Sequence, residues 1–318
     1  MSSASHVPET RGLTGDDAWV TLKRTGWVRL AKDAFKRLRV ADGFSHARSL
    51  AFAISLVAIE GLIAVVGLAN VLHPGGVSAT IDSTLRRAIP GPAGRVLTTA
   101  VTQAHRVAAE RHYGALLFGV VGALVVATTA MGQLERGLNR IYGIEQDRPS
   151  VKKYAIGLLL ASSVGTVIVV SFVTFAFGND LFSSVHSRAL TLVWSAVRWP
   201  LGVLLTAVAV TVLFRWSPRR RQPGLSWLAF GSGISVALWG LSTVGLGLFV
   251  RSSSSYGSTY GPLAGVIALL VWSFLSSVSI FYGAAVSAQL EGLRAGAPVP
   301  QDPVKAVATN PVSGAAPS

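Results

Sequence analysis

The sequence predicts an all-α, polytopic membrane protein with six transmembrane helices, on three observations: an apolar composition, six long stretches nearly free of charge, and an uneven placement of basic residues. Hydrophobic residues make up 51% of the 318 and charged residues only 13%, a balance far from that of a soluble domain. The apolar runs are Leu50–Leu72, Gly114–Leu134, Tyr154–Phe177, Leu190–Phe214, Leu225–Val250 and Pro262–Leu290. Each reaches the ~20 residues a helix needs to cross a bilayer. None shows the alternating, ~10-residue pattern of a membrane barrel strand. Hydrocarbon offers the backbone no hydrogen-bond partner, so helices that satisfy themselves are the solution. Twenty Lys and Arg lie before the first run and after the second, fourth and sixth, against seven in the alternate loops. That positive-inside pattern places both termini in the cytoplasm and the loop 73–113 outside. It also accounts for much of the +14 net charge without a nucleic-acid partner.

Residues 1–18 are polar and hold Pro8 but no apolar core, so they are read as a disordered N-terminus rather than a cleaved signal peptide. Residues 19–40 are read as one amphipathic, basic interfacial helix. Trp27, Leu30, Ala31, Ala34, Phe35 and Leu38 recur at three- and four-residue steps, ringed by Lys23, Arg24, Arg29, Lys32, Lys36, Arg37 and Arg39. Basic residues around a Trp-bearing apolar face suit an anionic membrane surface better than an RNA-binding arm.

Residues 47–291 form the predicted six-helix domain. Glu60 sits near the middle of the first run. A charge there costs on the order of 2.5–3.5 kcal/mol on insertion scales. It therefore marks either a transport site or a protonated acid acting as structural glue. The outer loop 73–113 has helical spacing on both sides of Pro90-Gly-Pro92, so it is a lid, a re-entrant hairpin or a plain surface cap. Asn139, Arg140 and Tyr142 after the second run, and Arg215 after the fourth, are candidate headgroup contacts; interfacial anchors and helix stops are the other reading. Arg198 lies inside the fourth run beside Trp199-Pro200. It would bind a lipid phosphate, pair with an acid, or snorkel outward. The sixth run opens on Tyr256 and Tyr260 with Gly257, Gly261 and Gly265 at four-residue steps. That glycine ladder is a helix-packing face first and a hinge or substrate opening second. Residues 296–318 lack helical period and are read as a disordered tail.

Enzyme signatures are missing. The chain has no cysteine, hence no disulfide or thiolate metal site. It has no Gly-x4-Gly-Lys-Ser/Thr loop, and His6, His46, His73, His105, His112 and His186 are scattered. No cofactor, no metal and no catalytic residues are expected.

Several motifs carry a resemblance. Leu138-Asn-Arg-Ile-Tyr142, Phe214-Arg215 with Pro218, Tyr256-Gly-Ser-Thr-Tyr-Gly-Pro-Leu-Ala-Gly-Val-Ile-Ala-Leu-Leu-Val-Trp272 and Tyr282-Gly-Ala-Ala-Val-Ser-Ala-Gln-Leu290 resemble the YihY/BrkB family of bacterial inner-membrane proteins. The resemblance covers roughly residues 25–295 and implies six helices with both termini inside. Some members of that family once carried a ribonuclease label. Others are linked to serum resistance or to export of envelope lipids. Two positions depart from the pattern: Ala58 stands where a proline is usual, and Ala285 where the family has an acid after Gly-Ala. Glu60 is then expected to replace that acid from another helix, facing the same interior space.

Together these features imply a multi-pass plasma-membrane protein. The first expectation is a transporter or flippase-like protein for lipids or other amphiphiles that does not hydrolyse ATP. Its groove would lie between the first, fourth and sixth helices, lined by Glu60, Arg198 and the glycine-rich start of the sixth. The alternative is a structural scaffold of the cell envelope. The expected partners are anionic lipid headgroups, a second copy of the chain or envelope proteins, with no nucleic acid.

Overall fold

The computed structural model describes residues 3–10, 12–72, 98–99, 112–183, 188–252, 263–297 and 300. Among these, all regular structure is helical. Two short helices, α1 (Gly15–Thr25) and α2 (Trp27–Val40), precede six long ones. These are α3 (Gly43–Leu72), α4 (His112–Ile141), α5 (Ser150–Ser183), α6 (Arg188–Trp216), α7 (Leu225–Ser252) and α8 (Leu263–Arg294). Each long helix carries one of the six apolar runs. Four segments, Ser150–Ile168, Ala196–Trp216, Leu225–Val250 and Leu263–Arg294, are long and apolar enough to cross a membrane.

The long helices form a closed ring. Each packs on its neighbours in the sequence, and α8 returns to pack on α3. Both N-terminal helices lie at the end of the ring where α8 finishes, here called the basic end; α1 and α2 both touch α8.

The single interfacial helix expected over 19–40 is two helices. Asp17 accepts from both the amide (3.1 Å) and hydroxyl (3.0 Å) of Thr14 and starts α1 well before Trp19. Gly26, at φ +82°, ends it, in a backbone region that glycine enters without the penalty a Cβ brings. In α2, Leu30, Ala34 and Leu38 face the protein core rather than lipid, and Trp27, Val28 and Phe35 stay exposed. Arg37, counted with the solvated basic ring, is fully buried.

The N-terminus also departs from expectation. Residues 3–10 are not disordered but run extended along the basic end. The Ala4 amide donates to the Arg140 carbonyl and the Val7 amide to that of Tyr142, both at 3.1 Å. Val7 is completely buried. The polar composition hid this strap because only Ala4 and Val7 of residues 3–8 are apolar, and both point inward.

Helices α7 and α8 approach one another backbone to backbone. A Cβ on Gly231 would overlap Ser287 and the Gly283 carbonyl, and one on Gly283 would overlap Ser235 and the Gly231 carbonyl. The two Gly-x3-Ser steps thus interlock reciprocally, which lets backbones approach where no water is present to drive association. Trp272 adds an indole hydrogen bond to Thr243 (3.1 Å). On the other side of α8, Ser55 of α3 bonds Ser273 at 2.9 Å. Gly137 of α4 leaves room for the Phe281 ring. The buried hydroxyls of Ser276, Ser277 and Ser279 each donate to the carbonyl four residues back at 2.8 Å, so α8 hides these three polar side chains with their hydrogen bonds made.

Candidate functional site: a buried polar junction at the basic end

The sites expected in mid-membrane do not come together. Glu60 packs against α4, where its carboxylate lies 2.9 Å from the position a Cβ on Gly122 would take. Arg198 lies on α6, whose extensive contacts are with α5 and α7 rather than with α3 or α8. Its guanidinium sits 5.8 Å from the Trp199 ring centre, and its Nε is buried without a hydrogen-bond partner. The relocated-acid expectation fails on height. Ser55 and Ser273 are level; Glu60 is five residues further out on α3, and Ala285 twelve residues further in on α8. At 1.5 Å per residue they are roughly 25 Å apart along the bundle. Of the ladder, Gly265 is buried on α8; Gly257, Gly261, Tyr256 and Tyr260 lie outside the described residues, as do the outer loop save 98–99 and 112–113, and the tail beyond 300.

The polar groups that do converge are at the basic end, in two linked networks. The first knits two interhelical turns together. Asp147 accepts from Asn139 (3.1 Å) and Arg136 (3.3 Å) and pairs with Lys153 at 3.6 Å and Arg140 at 3.9 Å. Burial alone would raise its carboxyl, but the Asn139 hydrogen bond and the cations Lys153, Arg140 and Arg136 hold it below the usual carboxylate range. Glu135 pairs with Arg148 at 3.2 Å. Arg148 in turn donates to the carbonyls of Trp216, Ser217 and Pro218. Asn139 also accepts from the Arg219 amide at 2.8 Å, and Arg215 donates to the carbonyls of Gln222 and Pro223. Asn139, Arg140 and Arg215 thus fasten turns to one another; their polar ends are occupied within the protein.

The second network is deeper. Glu291, fully buried near the end of α8, pairs with Arg220 at 2.6 Å and accepts from the Thr10 hydroxyl at 2.7 Å. The Arg220 guanidinium lies over the Tyr142 ring, 4.6 Å from its centre. Tyr142 faces Gln222, yet the hydroxyl and the Gln222 amide are not aligned into a hydrogen bond. Burial pushes the Tyr142 hydroxyl well above its ordinary pKa. Arg37 donates to Gln289 (2.9 Å), to the Ile141 carbonyl (3.0 Å) and to the Ser5 carbonyl (3.1 Å). All three are neutral acceptors. Burial lowers its pKa to about 10, with Arg220 adding to the effect and Tyr142 and Glu291 opposing it. Tyr142 Oη, Arg220 Nη1, Glu291 Oε2 and both polar atoms of Gln222 are buried with no hydrogen-bond partner, each a cost of ~1–3 kcal/mol if left so.

Sequence reading named Tyr142 but missed Arg37, Arg220, Gln289 and Glu291. Arg37 was absorbed into a basic stripe. Glu291 stood one residue beyond the uncharged run, where an end-of-helix charge is ordinary. Its signal was there to read, since an acid closing an otherwise apolar helix beside a basic turn has a ready partner.

The family described as Virulence factor BrkB matches residues 34–308. A Bacillus subtilis protein named as ribonuclease-like, YfkH, is 24% identical over 81% of the chain and 94% of its own length. A UPF0761 membrane protein of Alteromonas mediterranea is 29% identical over 54% of the chain, and one of Azoarcus sp. 28% identical over 83%. The matches span 58% and 63% of those two relatives' own lengths. No solved structure matches the chain.

Proposed function

Because the chain belongs to the BrkB family of membrane proteins, we propose that it spans the plasma membrane six times, with both termini in the cytoplasm, and moves lipids or other amphiphiles between leaflets. The reading is that of a non-enzymatic protein driven passively, by an ion gradient or by a separate subunit. What supports it is charge carried inside the apolar runs of two helices. Glu60 and Arg198 lie inside apolar runs on α3 and α6. Thr211 of α6 meets Ser232 of α7 at 2.6 Å, Gly231 meets Gly283, and Gly137 accommodates both Phe281 and His46. Counting along the helices from those crossings at 1.5 Å per residue puts Glu60 and Arg198 within roughly 6 Å of one height. Although they lie on helices without extensive contact with one another, opposite charges at one depth would offer a zwitterionic or anionic headgroup two polar stations. The exposed Trp27 and Phe35, with Lys32 and Lys36 nearby, would hold the basic end against anionic lipid.

The test is transbilayer movement of a fluorescent anionic lipid in proteoliposomes. Wild-type protein accelerates it; Glu60→Gln and Arg198→Gln slow it by about tenfold or more, while both variants remain folded. No acceleration by the wild type ends the reading. A structural role in the envelope is the second reading, favoured by the packing of Glu60 against Gly122. It predicts that Glu60→Gln leaves cellular function intact.

A further inference from the structure

Beneath the N-terminal strap the protein buries more positive than negative charge. Glu291 pairs with Arg220 at 2.6 Å, and Arg220 and Glu291 both lie near enough to Arg37 to act on its charge. No carboxylate lies within ion-pair distance of Arg37 among the described residues. An unpaired buried cation is costly, and the cost falls when an anion arrives.

What occupies the outward-facing donors is informative. Arg37 Nη1 donates to the Ser5 carbonyl at 3.1 Å, and its Nη2 to the Ser5 hydroxyl at 3.4 Å. Arg220 Nη2 donates to the Pro8 carbonyl at 3.3 Å. Strap oxygens thus stand where the oxygens of an oxyanion would stand. Arg220 Nη1 and the Tyr142 hydroxyl, both buried, have no partner, so two further donors are free beside them.

We propose that this junction is a phosphate-binding site, and that residues 3–10 are a built-in pseudo-ligand that a phosphate group displaces. Arg37 and Arg220 hold the phosphate oxygens through charge-assisted hydrogen bonds, and Tyr142 donates to a third oxygen. Glu291 Oε2, an acceptor without a partner, takes the proton of a hydrogenphosphate or phosphomonoester, which a fully ionised sulfate does not carry. Free phosphate and the headgroup of phosphatidic acid share this chemistry. The site rests on its own geometry, independent of the transport reading, and is tested without measuring transport.

Val7 is buried in the strap and the chain has no cysteine, so Val7→Cys places a single thiol under the closed strap. Its rate of reaction with a water-soluble maleimide reports opening. Inorganic phosphate is expected to raise the rate by about tenfold over sodium chloride or sulfate of equal ionic strength. Vesicles of phosphatidylcholine with and without phosphatidic acid form the second arm. Acceleration by free phosphate assigns the ligand to the soluble pool, and acceleration by phosphatidic acid vesicles alone assigns it to the membrane. Acceleration by neither overturns the proposal. Gly143 supplies a variant that touches no proposed ligand atom. It sits at φ +75°, and a Cβ there would lie 2.7 Å from the Ala4 carbonyl and against the His6 backbone. Gly143→Ala is expected to open the strap without ligand and, by removing the internal competitor, to tighten phosphate binding in calorimetry by about tenfold. Unchanged or weakened binding in that variant also overturns the proposal.

Discussion

The two halves of the ring are built on different principles. At the basic end, Leu30, Leu134, Leu138, Phe214, Trp227 and Phe281 are nearly or fully buried, ionic networks link four chain segments, and a strap closes the surface. Towards the far side, Leu117, Leu159, Leu241, Val244 and Leu248 are more than half exposed. Contact there runs through small residues and hydroxyls. Water drives the first kind of packing, at roughly 1.5–3 kcal/mol per large apolar side chain buried. Lipid cannot drive the second, because tails are as apolar as leucine. The basic end, where the Gly231 and Gly283 backbones also touch, is therefore fixed in shape, and the apolar half is held where polar groups such as Ser55 and Ser273 or Trp272 and Thr243 meet.

That contrast can be attacked most severely at its ionic centre. Glu291→Gln leaves two guanidiniums buried without a counter-charge and is expected to cost about 3–5 kcal/mol, read as a large drop in thermal midpoint in detergent. Full stability would mean that the junction is hydrated rather than buried. Next comes the α7–α8 crossing: Gly283→Leu forces a bulky side chain into the Gly231 backbone and should cost about 3 kcal/mol or more. If that variant melts normally, the bundle does not depend on backbone contact at this crossing near the basic end.

A smaller effect is expected from pH. Asp147 has a lowered pKa in the folded protein, so the stability it contributes is present above its unfolded pKa of about 3.9 and is lost as pH falls through the lower folded value. A melting profile from pH 6 to pH 2 should decline in that acid window. Asp147→Asn should remove that part of the decline. The smallest effect belongs to Gly240→Ala. Nothing lies within 4 Å of a Cβ there, so the change is expected to be neutral or stabilising by up to ~1 kcal/mol. A marked loss would reveal a close neighbour at that position and blur the distinction between glycines that pack and glycines that do not.

The legibility of the chain follows the same division. Uncharged runs announce helices because nothing else is stable in hydrocarbon, and each run lies on a helix of 28–34 residues. The basic end was harder to read because its residues pair across great sequence distances. Arg37 with Gln289, and Thr10 with Glu291, are separated by 252 and 281 positions. No local period encodes such partners, so Arg37 looked like one more cation on an amphipathic helix. The glycines show the limit from the other direction. Spacing drew attention to Gly257, Gly261 and Gly265, whereas the reciprocal contact seen is Gly231 and Ser235 with Gly283 and Ser287. Small residues at four-residue steps are common, and only the facing helix decides which pair is used.

The closing of the ring by α8 has a consequence for how the protein is made. A ribosome delivers α3 to α7 first, and until α8 emerges α3 and α7 each lack one flank. Arg37 and Arg220 wait without Glu291 and Gln289, and the strap has no Glu291 to receive Thr10. The last of the described helices is the keystone, so nascent chains stalled before it would present unpaired guanidiniums and open helix faces to quality-control proteases. Those intermediates should turn over rapidly, and the completed chain should become resistant within the time α8 takes to dock.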